Sequence, residues 1–203
     1  MSERPAARLG AVSEAAPNGE ITREAHERLV FELRRHALVI GDVTLTSGMK
    51  ASYYVDAKRA ILLPAGFQAL GVLLADRART WGATAVGGMT MGADAVACAA
   101  LAGGAQVKGF FVRKDTKAHG LQRQIEGPLL EHGDRCLVVE DVVSTGGSTV
   151  AAIEALKAAG HQICGVVSVL DRLSGGAAAI EAAAGAPYAP LTTIDDVYPE
   201  REG

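Results

Sequence analysis

Positive charge is in short supply in this chain. Its 20 Lys and Arg against 23 Asp and Glu leave a formal net charge of −3, which argues against a general nucleic-acid binder, because such proteins carry a basic excess. Aromatic residues make up only 4%, too few for a surface that stacks single-stranded bases. The three cysteines, Cys98, Cys136 and Cys164, stand far apart inside apolar segments, with no CxxC or Cys/His spacing. They read as small core residues in a reduced compartment, not as metal ligands or disulfide partners. No stretch reaches the roughly 18 uninterrupted apolar residues of a membrane span, and the N-terminal residues lack the apolar centre of a signal peptide. The cytoplasm is the expected location, with neither membrane nor nucleic acid as partner. What is present is apolar: 49% hydrophobic content in 203 residues can fill one good core and suggests one domain.

Residues 1–20 are rich in Ala, Pro, Ser and Gly without a period and are expected to form a disordered extension. The remaining 21–203 form the expected domain. Thr22 should cap a helix whose inward face includes Ala25, Leu29, Val30 and Leu33. Residues 43–56 suggest a strand, a tight turn at Thr44-Leu45-Thr46-Ser47-Gly48 and a returning strand. Pro64 suits the first position of a helix carrying Phe67, Leu70, Leu74 and Ala78 on one face. From there strands expected at 85–88, 107–112, 136–139 and 163–170 alternate with helices, two of them Ala-rich, and a short strand ends the series. This alternation predicts an α/β fold, a central mostly parallel sheet with helices on both faces. Ligands of such sheets sit beyond the carboxyl ends of the strands, where every distinctive element of this sequence falls.

The most informative of these is Cys136-Leu137-Val138-Val139-Glu140-Asp141-Val142-Val143-Ser144-Thr145-Gly146-Gly147-Ser148-Thr149. An apolar run ends in two carboxylates and passes into a loop of hydroxyls and glycines. Ser148 is placed to cap the following helix, with Val150, Ile153 and Leu156 inward and Gly160 as its stop. A helix N-terminus flanked by hydroxyls is an anion site. Carboxylates beside it make sense if they face sugar hydroxyls, or a metal bridging those hydroxyls to phosphates. The strand tip therefore reads as a site for a phosphorylated sugar, although an ordinary Gly- and Ser-rich turn has the same ingredients. No Lys follows the glycines and no GxGxxG is present, which excludes the nucleotide-hydrolase and dinucleotide loops.

A second element follows Phe110-Phe111-Val112. The segment from Arg113 to Gly127 is polar, carries Arg113, Lys114, Lys117, Arg123 and His119, and is bounded by glycines within an acidic chain. It is either a solvated surface loop or a lid; its length and charge suit a lid over a highly anionic ligand.

The strand, acid pair and hydroxyl-x-Gly-Gly-hydroxyl loop resemble the phosphoribosyl-pyrophosphate signature of the type I phosphoribosyltransferases. Arg113-Lys114-x-x-Lys117-x-His119-Gly120 resembles the catalytic loop of the orotate-specific branch of that family. The resemblance spans about residues 41–175. It implies that Glu140 and Asp141 hold the ribose hydroxyls, and that Val142, Val143, Ser144, Thr145, Gly146, Gly147 and Ser148 wrap the 5-phosphate. It further implies that Arg113, Lys114, Lys117 and His119 contact the pyrophosphate, with Lys117, His119, Glu140 and Asp141 as the catalytic set. Residues 41–56, with Tyr53 and Tyr54, resemble the family's N-terminal hood (about 21–60, ahead of a core at 61–203). Gly87 to Asp94 matches a strand-end pyrophosphate loop, which gives Thr90 and Gly92 a weak assignment. Leu170-Asp171-Arg172 matches the position where Arg binds the orotate carboxylate, with Ser144 near the base. Where family members often carry Lys, this chain has Thr46 and Met91. The implied reaction is transfer of the phosphoribosyl group to orotate, with magnesium held mainly through the substrate and active sites shared across a homodimer. A phosphoribosyltransferase for another base and a non-catalytic phosphoribosyl-pyrophosphate-binding regulator are the alternatives.

Overall fold

The structure, a computed structural model, describes residues 18–44, 50–114 and 124–201. Helix α1 (Asn18–Glu32) starts inside the segment expected to be an extension, and Thr22 is not its cap: its hydroxyl donates to the Gly19 carbonyl within the first turn. The helix buries Ala25 and Leu29 as expected, widens into a π-helical turn at Leu33–Ala37, and leaves Val30 only half-buried. Strands β1 (Leu38–Thr44) and β2 (Lys50–Val55) pair antiparallel as a separate two-stranded sheet; β1 begins five residues before the expected strand, and most of the expected turn lies outside the described residues. A four-residue helix, α2 (Lys58–Ile61), then leads to α3 (Pro64–Thr80). Pro64 opens α3 because its fixed φ suits the first turn and its missing N–H costs nothing there, and Leu70, Leu74 and Ala78 are buried as their spacing predicts.

The main sheet is built from β3 (Ala85–Met89), β4 (Lys108–Val112), β5 (Ile125–Glu126), β6 (Arg135–Val143), β7 (Gln162–Asp171) and β8 (Thr192–Thr193), in the order β5-β4-β3-β6-β7-β8. All neighbours are parallel except β5, which runs back antiparallel along Phe111 and Val112. Helix α4 (Gly92–Ala102) connects β3 to β4, α5 (Gly147–Ala158) connects β6 to β7, and α6 (Gly176–Ala184) precedes β8. Residues of alternate parity along β6 point to opposite faces: Leu137 and Val139 pack with α1, α3 and α4, while Cys136 and Val138 pack with α5 and α6. The chain leaves β3 for β4 on one side and later returns to β6 on the other, which opens a crevice at the carboxyl ends of β3 and β6.

Three further features, in the main sheet and beyond it, differ from the sequence expectation. The strand expected to stop at Val139 continues to Val143, because Val142 and Val143 pair with Leu170 and Asp171 of an equally extended β7, so the two acids lie within the strand. Strand β5 sits inside the polar segment read as loop. Helix α7 (Ile194–Val197) was not foreseen; a reciprocal pair of bonds between Thr193 and Asp196 starts it.

At the opposite end of the sheet, buried Asp134 ties three strand entries together. Its carboxylate accepts from Lys108 Nζ (2.8 Å), Thr84 Oγ1 (2.8 Å) and the Glu131 N–H (2.6 Å). The Lys108 ammonium and these donors hold the acid down at about 2, below its ordinary 3.8. A depressed carboxylate stabilises the fold above its unfolded pKa and loses that contribution as pH falls through the folded one. Asp134→Asn should therefore cost about 1–2 kcal/mol at pH 7, and its deficit should shrink between about pH 4 and pH 2. Urea unfolding across that range tests this; a deficit that persists unchanged at low pH contradicts it.

Candidate active site

Glu140 and Asp141 project from the end of β6 and are both buried, at 4% and 8% exposure. Such a pair is costly unless its oxygens find donors, and each acid finds different ones. Glu140 Oε2 accepts the Ser148 hydroxyl at 2.7 Å and the Thr149 hydroxyl at 3.2 Å, both from the first turn of α5, and Oε1 accepts the Asp141 N–H. Asp141 Oδ1 accepts the Val142 N–H at 2.8 Å, and Oδ2 accepts Lys58 Nζ at 2.8 Å. Burial pushes Glu140 well above the usual carboxylate range; the Ser148 bond opposes this and the Asp141 charge adds to it. The pair is a preformed acceptor surface for hydroxyl groups.

The loop beyond the acids turns at Gly146, whose φ of +81° favours glycine and where a Cβ would lie 3.0 Å from Ile180. Gly146, not Ser148, is the N-cap of α5, and no side chain caps the helix. Ser148 instead spends its hydroxyl on Glu140, a use that helix propensity could not reveal. The first-turn N–H groups of α5 have no intrahelical acceptor and open beside exposed Thr145, Gly147 and Ser148. Such a helix start is an anion site, and it lies one short loop beyond the acids.

Arg172 lies next to this loop, its N–H donating to the Val143 carbonyl at 2.8 Å. Its guanidinium lies 5.5 Å from the centre of the Tyr53 ring, which stands edge-on to Tyr198. Its buried Nε has no hydrogen-bond partner among the described residues, leaving a donor aimed at no protein acceptor. Asp171 fixes the turn, accepting the Leu173 N–H at 2.7 Å and the Tyr188 hydroxyl at 2.9 Å. Ser144 is half-buried in the same loop and Tyr54 is exposed on β2.

Strands β3 and β4 supply the other wall. Thr90 donates its N–H to Val112 at 2.8 Å, the Thr90–Met91 peptide bond is cis, and Met91 is 77% exposed. Gly92 approaches the acids so closely that a Cβ there would sit 2.4 Å from Asp141 Oδ1 and 2.9 Å from Glu140 Oε1. Arg113 follows β4, donates its N–H to Gln124 and lies 3.5 Å from Glu126, while Lys114 is exposed. Lys117, His119 and Thr46 lie outside the described residues. The structure thus brings together Glu140, Asp141, the 142–148 loop, Arg172, Tyr53, Thr90 and Gly92.

One participant was missed. Lys58 bonds Asp141 and also lies 3.1 Å from Asp56. Its sequence neighbourhood, Asp56-Ala57-Lys58-Arg59, looks like a solvated charge run. Only the docking of α2 against the end of β6 could have marked it, and that is a tertiary fact.

A model of the phosphoribosyl transferase domain matches residues 64–182 of this chain. The orotate phosphoribosyltransferase of Corynebacterium glutamicum is 44% identical over 181 residues, which covers 89% of this chain and 97% of the relative. That of Streptomyces avermitilis is 47% identical over 164 residues, 79% and 90% of the two chains. Among solved structures, Mycobacterium tuberculosis orotate phosphoribosyltransferase in complex with 5-phospho-alpha-D-ribosyl 1-diphosphate aligns with a TM-score of 0.73 at 36% identity, covering 85% of this chain and 98% of that one. The same enzyme in complex with Fe(III) dicitrate gives 0.78 at 41% identity, covering 86% and 99%.

The closeness of Gly92 to the acids carries a direct consequence. Gly92→Ala should keep its melting temperature within a few degrees, since the methyl meets a side-chain carboxylate at the crevice rather than the core. It should nonetheless weaken binding of a ribose phosphate about tenfold by pushing Asp141 aside. Calorimetric titration beside a thermal melt reads both; unchanged affinity contradicts the geometry.

Proposed function

The chain belongs to the orotate phosphoribosyltransferases, within the phosphoribosyl transferase domain family, and from that premise we propose how its site carries the activity. The protein transfers the 5-phosphoribosyl group of phosphoribosyl pyrophosphate to orotate, giving orotidine 5′-monophosphate and pyrophosphate in pyrimidine synthesis. What supports this reading is that the buried acids, the open first turn of α5, and Arg172 beside Tyr53, its Nε without a partner among the described residues, lie together at the carboxyl ends of β6 and β7.

In this transfer, orotate N1, which is acidic and gives up its proton without a strong dedicated base, bonds to the anomeric carbon while the bond to pyrophosphate breaks and its electron pair leaves with the pyrophosphate oxygen. Positive charge develops on the ribose ring, and negative charge on the departing group. Glu140 and Asp141 accept the ribose hydroxyls and face the cationic ring. The backbone from Val142 to Ser148 takes the 5-phosphate at the helix N-terminus. Arg172 forks onto the orotate carboxylate, with Ser144 beside the base. Arg113, Lys114, Lys117 and His119 neutralise the leaving group, and His119 can give it a proton near neutral pH.

Among the described residues no group of three or more His, Cys, Asp or Glu side chains converges as a metal cage. A magnesium ion would be held mainly through the donor itself, and Glu140 and Asp141 are the acids that would face it. When bound, the ion supplies charge neutralisation at the pyrophosphate. The working form is a homodimer in which the 113–127 segment serves the neighbouring site. The domain takes in α1 from Asn18 onward, three residues earlier than expected, with the two-stranded sheet as a hood over the base. The free thiols of Cys98, Cys136 and Cys164 suit a reducing compartment, the cytoplasm. Among the described residues no helix is long and apolar enough to cross a membrane.

A phosphoribosyltransferase for a purine would have no carboxylate to place on Arg172. Loss of orotate absorbance after adding phosphoribosyl pyrophosphate and magnesium, with no product from purine bases, is the expected outcome; turnover of a purine in place of orotate overturns the reading. Lys117→Ala should lower turnover by about two orders of magnitude without unfolding the chain, as for loss of one transition-state donor. Mixing it with an Asp141→Asn variant should restore some activity if sites are shared. No recovery despite demonstrated subunit exchange argues against the shared site.

A further inference from the structure

We infer that Lys58 is a donor-binding residue of this site: its ammonium occupies the sugar-hydroxyl acceptor in the free protein and moves onto the donor's diphosphate when the sugar arrives. The inference rests on the transfer reaction above and adds a residue to it. Lys58 Nζ lies 2.8 Å from Asp141 Oδ2 and 3.1 Å from Asp56 Oδ1. Its backbone N–H donates to the same Asp56 oxygen at 3.2 Å, so Asp56 anchors both ends of the residue at the start of α2. The side chain keeps 40% exposure, against 11% for Asp141. It is an ammonium reaching from solvent onto a buried acid, not a fully enclosed structural pair.

The chemistry of the ligand makes this position consequential. In phosphoribosyl pyrophosphate the diphosphate and the 2-hydroxyl sit on adjacent ring carbons, on the same side in the α-anomer. A carboxylate that takes the ribose hydroxyls therefore places the diphosphate within a few ångströms of whatever cation it already holds. Hydroxyls that bond Asp141 must share or displace the Lys58 bond, and a flexible four-carbon stem lets the ammonium follow the nearest anion. The adjoining loop offers no competing charge: Met91 is exposed and uncharged, and Gly92 presents only backbone to the acids. Among the described residues, Lys58 is the ammonium bonded to the acid pair.

Binding of magnesium phosphoribosyl pyrophosphate, magnesium pyrophosphate and ribose 5-phosphate to the full-length chain, as wild type, Lys58→Gln, Lys58→Met and Lys58→Arg, tests the assignment by calorimetry. Thermal melts select whichever of the Gln and Met variants retains the wild-type fold. Losing the ammonium should weaken the two diphosphate ligands about tenfold while leaving ribose 5-phosphate unchanged or tighter, and Arg should restore most of the loss. Equal loss for all three ligands would make Lys58 a prop for Asp141 and overturn the inference. So would no loss, or a gain confined to ribose 5-phosphate. Orotate consumption by the wild type, read in parallel, separates the two failures: an inactive wild type defeats the transfer reaction, whereas an active wild type with indifferent Lys58 variants defeats only this assignment.

Discussion

Two adjacent carboxylates buried at the tip of a parallel strand are the constraint around which this molecule is arranged. Removing both from water would be prohibitive without donors on every side, and three elements supply them. The first turn of α5 gives two hydroxyls to Glu140, the strand gives its own N–H groups, and α2 gives an ammonium to Asp141. Glycine at position 92 gives the opposite wall room to approach. Each accommodation belongs to a different segment, so the acids act as the meeting point of β6, α2, α5 and the start of α4.

The same arrangement explains why an acidic floor can serve an anionic ligand. In the proposed function the phosphate meets backbone N–H groups at the start of α5, displaced by several residues from the acids, so attraction and repulsion are sorted in space. The proposed base side carries Arg172, whose guanidinium lies over the Tyr53 ring and whose buried Nε has no partner among the described residues. A buried donor without a protein acceptor is unfavourable by itself and becomes favourable when a ligand acceptor reaches it. Together these features supply a positive cradle, a negative ribose floor and a guanidinium, a sequence of charges that follows a phosphoribosyl group joined to an acidic base.

Much of this was legible in the chain. The alternation of apolar runs with Ala-rich stretches fixed the parallel sheet, and Pro64 marked its helix because its physics is local. The acid pair and the Gly-Gly turn were readable because residue types that dense at a strand end have few other uses. What escaped reading depended on partners distant in sequence. The length of β6 is set by β7, so Glu140 and Asp141 lie inside the strand rather than after it. Ser148 looks like a cap in isolation and becomes a donor to Glu140 only when the helix docks. Lys58, an ordinary surface lysine by its neighbours, lies 83 residues from the acid it bonds.

The most direct test of this account is the affinity for magnesium phosphoribosyl pyrophosphate when both acids are made neutral with their shapes kept. The account holds that Glu140→Gln/Asp141→Asn binds the donor at least about 100-fold more weakly than wild type, as for loss of two charge-assisted bonds, while its thermal melt stays cooperative. Near-wild-type affinity in a folded double variant would contradict it.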